Sequence, residues 1–134
     1  MWIWPKPIPA PLRWKPAGSD DKGYVNLLNN IQPAENVVVY ATAYAKSPTA
    51  RKAVVSVGSD DGIKVWINGK LAHGKNAARP AVAGEDEAPV ELRAGWNEIL
   101  LKITQGGGDW GFYFDLLDAD KKPMTDIVLA TRPR

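Results

Sequence analysis

Asp60-Asp61-Gly62 sets two carboxylates side by side and follows them with a turn-forming glycine. A calcium ion takes about six to eight oxygen ligands, and adjacent carboxylates with nearby backbone carbonyls supply part of such a set. The spacing is not the spread acidic ladder of an EF-hand. The same tripeptide also reads as a plain turn, because Asp and Gly bend and hydrogen-bond locally. Glycoside hydrolysis needs two carboxyl groups facing each other across a bond. Neighbours along a strand are instead predicted to point to opposite faces. Glu85-Asp86-Glu87, the other acidic run, reads as solvated loop.

A second chemistry is aromatic. Gly106-Gly107-Gly108 precedes Asp109-Trp110. A phosphate cradle would need a helix to follow such a loop, whereas a strand pattern starts here. Glycines beside an indole would let a flat ligand approach Trp110, and stacking on the apolar face of a sugar is the physics of carbohydrate recognition. The competing assignment puts Trp110 in the core. Trp66 alternates away from Ile63, Val65 and Ile67, so it belongs to the opposite sheet face, as a platform or as a lid over tyrosines. Trp96, in the turn Arg93–Asn97, is expected to pack. Nucleophilic catalysis lacks its parts: there is no cysteine, His73 is the only imidazole, and no Gly-x-Ser-x-Gly elbow occurs. His73 reads as a strand-end residue.

The elements that must position these residues are strands. Asn36–Ala45 alternates with period two and is rich in β-branched and aromatic residues. Ala53–Gly58, Ile63–Asn68, Lys70–His73, Ala88–Leu92, Asn97–Thr104, Trp110–Leu117 and Ile127–Ala130 continue the pattern. Asn68-Gly69 supplies the two positive-φ residues of a type I′ hairpin. Only Val25–Ile31 reads as a helical turn or two. Many short strands separated by Pro and Gly predict an all-β fold: an antiparallel β-sandwich of jelly-roll type. The polar stretch Gly74–Glu87 is long for a connection in a compact domain, and such loops tend to be functional or mobile.

The chain has 134 residues, enough for one domain with a real core. Residues 1–16 hold five of the 11 prolines, interleaved with Trp2, Trp4 and Trp14. They form an extended arm or an edge strand, and residues 17–134 the sandwich. The arm's indoles are expected to lie across the body, the bland alternative being a linker. A balance of 17 basic and 15 acidic residues argues against nucleic acid as a partner. No apolar run is long enough for a membrane helix. Met1–Pro5 does not read as an export leader, which leaves a cytoplasmic chain or a module of a larger exported protein.

The run Gly58–His73 (GSDDGIKVWINGKLAH) resembles the Ser-Asp-Asp-Gly…Asn-Gly-Lys motif of protective-antigen-type lectin domains and of galactose-binding-like jelly rolls attached to glycoside hydrolases. Val90–Thr104 is similar to the Leu-x-x-Gly-x-Asn-x-Leu strand entry of the latter, and with Gln105–Phe112 the likeness spans about residues 14–120. It implies a non-catalytic carbohydrate-binding module of a large exported bacterial protein, extracellular or periplasmic, with a polysaccharide or glycan and the neighbouring domains as partners. In the lectins two successive Asp residues hold calcium, which contacts sugar hydroxyls. Asp60 and Asp61 match that pair, and Asn76 is the nearest amide to stand in for the family's remaining ligands. The expected site is then Asp60 and Asp61 at one corner, Asn76 and Arg79 as donors from the long loop, and Trp110, with Trp66, as aromatic surface. The alternative is a structural or interaction spacer with no sugar ligand. A small enzyme working through Asp60 or Asp61 is a third possibility.

Overall fold

The computed structural model describes residues 2–6, 14–28 and 37–133. The rest of the proline-rich arm (7–13) and the second half of the helical-turn candidate (29–31) lie outside the described residues. Eleven strands follow in order: β1 (Trp2–Lys6), β2 (Lys15–Pro16), β3 (Tyr24–Asn26), β4 (Val37–Ser47), β5 (Arg51–Asp60), β6 (Ile63–Ile67), β7 (Lys70–Lys75), β8 (Asp86–Leu92), β9 (Gly95–Gln105), β10 (Gly111–Asp118) and β11 (Val128–Ala130). Among the described residues no helix is long and apolar enough to cross a membrane.

The strands form two antiparallel sheets. The larger has the order β2-β1-β4-β9-β6-β7, with β11 also pairing β4, and the smaller the order β3-β10-β5-β8. The expected all-β sandwich is therefore present. Its frame is the long β4–β9 ladder, which runs from Val37↔Gln105 to Ser47↔Gly95. Alternate residues turn inward: Val39, Ala41 and Ala45 from β4, Ile99, Leu101 and Ile103 from β9, and Ile63, Val65 and Ile67 from β6. They meet Val55 and Val57 of β5 and Phe112 of β10. Burial of these branched side chains is the main driving force for the two-layer arrangement.

Residues 2–6 form a strand, but not the edge strand expected: β1 pairs with β4 from Trp2↔Thr42 to Lys6↔Val38, and the two-residue β2 pairs with Trp2 and Ile3 on its other side and is itself the edge. Pro5 is tolerated because it lies beyond the stretch that β2 pairs with. Val25–Ile31 does not begin as a helical turn. Val25 pairs with Phe112 of β10, so an available sheet edge prevails over weak local propensity. The Asn26 side chain then accepts a hydrogen bond from the Leu28 N–H at 3.0 Å and closes a local turn.

Two junctions fix the register. Asn68 (φ 52°) and Gly69 (φ 80°) form the expected hairpin tip between β6 and β7. The Asn68 Oδ1 accepts from the Glu98 N–H at 2.8 Å, which ties the tip to β9. Asn97 is fully buried, and its side-chain NH₂ donates to the carbonyls of Ala45 (3.2 Å), Arg93 (3.0 Å) and Gly95 (3.2 Å). Its Oδ1 accepts from the Arg93 N–H and from the Asn68 Nδ2. The Gly-x-Asn strand entry is thus a hydrogen-bonded clamp on the turn that starts β9. Trp96 is half-buried, with the Lys46 Nζ 5.8 Å from its ring centre.

Candidate functional site

The Asp60-Asp61 corner lies where β5 ends and the chain turns into β6. Asp60 pairs with Gly111 of β10, and the Asp60–Asp61 peptide is cis. The turn is braced on β9: the Asp61 N–H donates to the Thr104 carbonyl (2.9 Å), the Thr104 N–H donates to the Gly62 carbonyl (3.0 Å), and the Gly62 N–H donates to the Thr104 Oγ1 (2.9 Å). Gly62 is required there by space, because an added Cβ would stand 2.8 Å from that hydroxyl oxygen and 3.0 Å from the Lys75 carbonyl.

The two carboxyl groups do not diverge as strand alternation predicts; they lie close enough for Asp61 to favour the protonated form of Asp60. Asp61 is held from two sides. Its Oδ1 accepts from the Arg79 N–H at 3.1 Å, and its Oδ2 from the Gly106 N–H at 2.8 Å. Asp60 is buried, and no ion pair reaches it among the described residues. Burial pushes its carboxyl up to about 6, reinforced by the hydrogen bond and charge of Asp61 and by the charge of Asp109. Tyr24 lies close by: burial first, and then Asp60 and Asp109, raise its phenol above the ordinary value.

The loop 76–85 closes one side. It is shorter than the Gly74–Glu87 stretch because β7 and β8 extend into it, and it folds over the outer face of the four-stranded sheet. A Cβ on Gly58 would stand 1.8 Å from the Val82 carbonyl oxygen, so only glycine permits that crossing. The Ser59 N–H donates to Glu85 Oε1 at 3.2 Å. Arg79 is the bolt: its Nε donates to the Ser59 carbonyl and its Nη2 to the Ser59 hydroxyl, both at 3.2 Å. The same guanidinium pairs with Asp86 and with Glu85. Its hydrogen bonds and charge hold the Asp86 carboxyl below the usual carboxylate range. His73 is partly buried, with its Nε2 3.3 Å from Asp86 Oδ2, and so belongs to this brace.

Of the six expected site residues, Asp60, Asp61 and Arg79 come together. Arg79 differs in kind from the expected ligand donor, because its guanidinium is committed to Asp86, Glu85 and Ser59. Asn76 is exposed, and its backbone passes the corner: its Cα lies 3.6 Å from where a Gly62 Cβ would stand. Trp110 is not a stacking platform. It has 0% exposure and sits in the core beside Phe112. The triple-glycine loop instead bends back, with Gly106 on Asp61 and the Gly108 carbonyl accepting from Gln105 Nε2 at 2.9 Å. The signal was present in the sequence: Trp110, Phe112 and Phe114 share one strand parity, and Gly111, Tyr113 and Asp115 the other. Trp66 is half-buried on the outer face of the larger sheet, in register with Leu100. It stands five residues beyond Asp61, roughly 16 Å away along the chain. Sequence reasoning missed Gly58, whose place inside a strand marks a close backbone approach, and Asp109.

A hard cation would be held by Asp60 and Asp61. The donor set suits it in kind, since these are anionic oxygens already crowded against one another. Among the described residues no three His, Cys, Asp or Glu side chains converge as a metal-binding group. Most of a calcium shell would thus come from outside the side chains.

No protein-family description matches the chain, and no curated protein matches it. Solved structures share its fold. The PA14 domain of the antifreeze protein MpAFP aligns with a TM-score of 0.58 at 21% identity, over 72% of this chain and 53% of that one. An anti-sigma factor domain-containing protein aligns with a TM-score of 0.65 at 15% identity, over 98% of this chain and 44% of its own length. A β-glucosidase from Kluyveromyces marxianus aligns at 0.59 and 15% identity, over 88% of this chain and 16% of the enzyme. The chain therefore spans about half, or much less, of the proteins it resembles. At these identities the likeness establishes the sandwich fold.

Proposed function

We propose that this chain is a non-catalytic carbohydrate-binding module, and that the Asp60-Asp61 corner receives a glycan through its hydroxyl groups with calcium as the bridging ion. The supporting observation is the state of the two carboxyls. Asp61 is oriented by two backbone N–H groups, while Asp60 is buried beside it, raised further by the charge of Asp109, and has no ion pair among the described residues. A divalent cation relieves that repulsion, and its unfilled positions suit vicinal hydroxyls. The neighbouring loop is already braced by Arg79, so binding there need order little chain. The sandwich folds found as parts of a PA14-containing antifreeze protein and of a β-glucosidase agree with an accessory role. In this reading the chain works beside other domains of a larger exported bacterial protein, outside the cell or in the periplasm.

The test is titration of the purified chain with soluble polysaccharides, with calcium and then with chelator, following tryptophan fluorescence. Binding that needs calcium and is lost in Asp61→Asn is expected. Absence of binding across a broad panel would overturn this reading in favour of an interaction spacer.

A further inference from the structure

The outer face of the larger sheet carries a charge arrangement that the fold does not need. Lys64 of β6 and Lys102 of β9 stand directly opposite each other in the antiparallel ladder. Ile63 and Val65 flank one and Leu101 and Ile103 the other, all turned inward to the core, so both lysines point out. Cross-strand neighbours have Cβ atoms about 5 Å apart, and like charges so placed repel each other. Lys64 is exposed and Lys102 half-buried, and neither makes an ion pair among the described residues.

A lysine commonly guards a sheet edge against pairing with another chain. That accounts for Lys70 and Lys75 on β7, which ends its sheet. It does not account for Lys64 and Lys102, because β6 and β9 are interior strands. Nor does an acid beside them offset the pair. Glu98, on the same face of β9, is four residues from Lys102, roughly 13 Å along the strand.

The place of the pair says what it serves. Lys64 is two residues beyond Gly62 on one strand, and Lys102 two before Thr104 on the next. Gly62 and Thr104 hydrogen-bond to each other at the base of the Asp60-Asp61 corner. The lysine row therefore begins roughly 7 Å from that base. Trp66 follows Lys64 on the same face, and its cross-strand partner Leu71 keeps 53% of its surface exposed. A neutral glycan leaving the corner in this direction would meet two ammonium groups and give them no counter-charge. A sugar unit bearing an anionic group supplies it, and the lysine stems and Leu71 offer apolar surface to its C–H face. A nucleic acid is the poorer fit, since 17 basic and 15 acidic residues leave little of the positive surplus that a phosphate chain uses.

We infer that the chain selects an acidic glycan, with Lys64 and Lys102 together reading the carboxylate or sulfate of a sugar unit next to the one held at the corner. The inference rests on the reading of the corner as a glycan site and adds to it the charge of the ligand.

The experiment titrates the full chain, in calcium and then in chelator, with short oligogalacturonides, their neutral methyl esters, sulfated carrageenan oligosaccharides, neutral laminarin oligosaccharides and a single-stranded DNA oligonucleotide. One of the two acidic glycans is expected to bind about tenfold or more tighter than the neutral ones, and to weaken as salt is added. Lys64→Gln and Lys102→Gln should each weaken that binding about fivefold, and Lys64→Arg should retain it. Both Gln variants remove a repulsion, so neither should lower the denaturation midpoint. Neutral and acidic glycans bound equally, with calcium and without regard to the Gln variants, would overturn the inference and leave the corner standing. Acidic-glycan binding lost in the Gln variants but indifferent to chelator and to Asp61→Asn would support the lysine pair and remove the corner. DNA bound as tightly as the sugars, and weakened by the same variants, would overturn the choice of a glycan. No binding to any of the five would overturn both readings.

Discussion

The two outer faces of this sandwich differ in what covers them. The outer face of the four-stranded sheet is closed by the loop 76–85 and by Tyr24, and its strands carry glycine or serine where the cover comes close. A Cβ on Gly58 would meet Val82, one on Gly111 would stand 2.1 Å from the Tyr24 hydroxyl, and Gly84 passes the Ser56 hydroxyl. The outer face of the seven-stranded sheet instead bears Tyr40, Tyr44, Trp66 and Trp96, all half-buried. Small residues mark the sheet face that receives the loop backbone, and large aromatic residues the opposite outer face. The Asp60-Asp61 corner lies beneath the covered face and is braced by that loop.

The comparison breaks most readily at Gly58. Gly58→Val should displace the loop and destabilise the fold by about 3 kcal/mol or more, since the atom in the way is backbone. Chemical denaturation would measure this. A change on the other outer face, Trp66→Val, should cost roughly 1 kcal/mol. Equal effects at the two positions would mean that the loop can move aside at little cost.

Arg79→Ala should follow, at about 2 kcal/mol, because it leaves Asp86 and Glu85 partly buried without their partner. Amide hydrogen exchange should rise in residues 76–85 and stay unchanged in β9. The Asp86 carboxyl should also move back up toward its ordinary value. An unchanged exchange pattern would show that Gly58 and Glu85 hold the loop without the bolt.

Asp60 sharpens the comparison through pH. Its folded carboxyl sits at about 6 against 3.8 for an ordinary one, so the fold favours the protonated form. Its contribution is greatest below about pH 4 and declines as pH rises toward 6. Asp60→Asn should therefore stabilise the protein at pH 8 by on the order of 1–2 kcal/mol, with little effect at pH 4. With calcium at pH 8 the parent should gain thermal stability and the Asn variant should not. A pH–stability profile unaltered by the substitution would place the burden on another group.

The smallest effect is expected on the outer face of the larger sheet. Glu98→Gln keeps the shape of an exposed strand residue and should change stability by under about 0.5 kcal/mol, read by chemical denaturation. A larger loss would make Glu98 a structural partner in the sheet.

The strands, the Asn68-Gly69 hairpin and the inward faces of β4, β6 and β9 were legible in the sequence, because period-two alternation of branched residues is a local signal. So was the pairing of Asp60 with Asp61 as candidate oxygen donors. The place of Trp110 was less legible, since a glycine run says that the chain can bend but not toward which side. Its shared parity with Phe112 and Phe114 pointed inward, and the core followed that parity. Arg79 could be noticed as a loop cation, but its engagement with Asp86, Glu85 and Ser59 depends on where the loop lands.

By itself the sequence determined an all-β sandwich, its turns and the list of groups able to meet a sugar or a cation. Only the tertiary structure decided which of those groups share a site. Strand order, the landing of the loop 76–85 on Gly58 and the meeting of β1 with β11 on one edge of β4 are contacts between distant segments. Alternation along a strand carries no information about its partner, so the corner exists only once the sheets have closed.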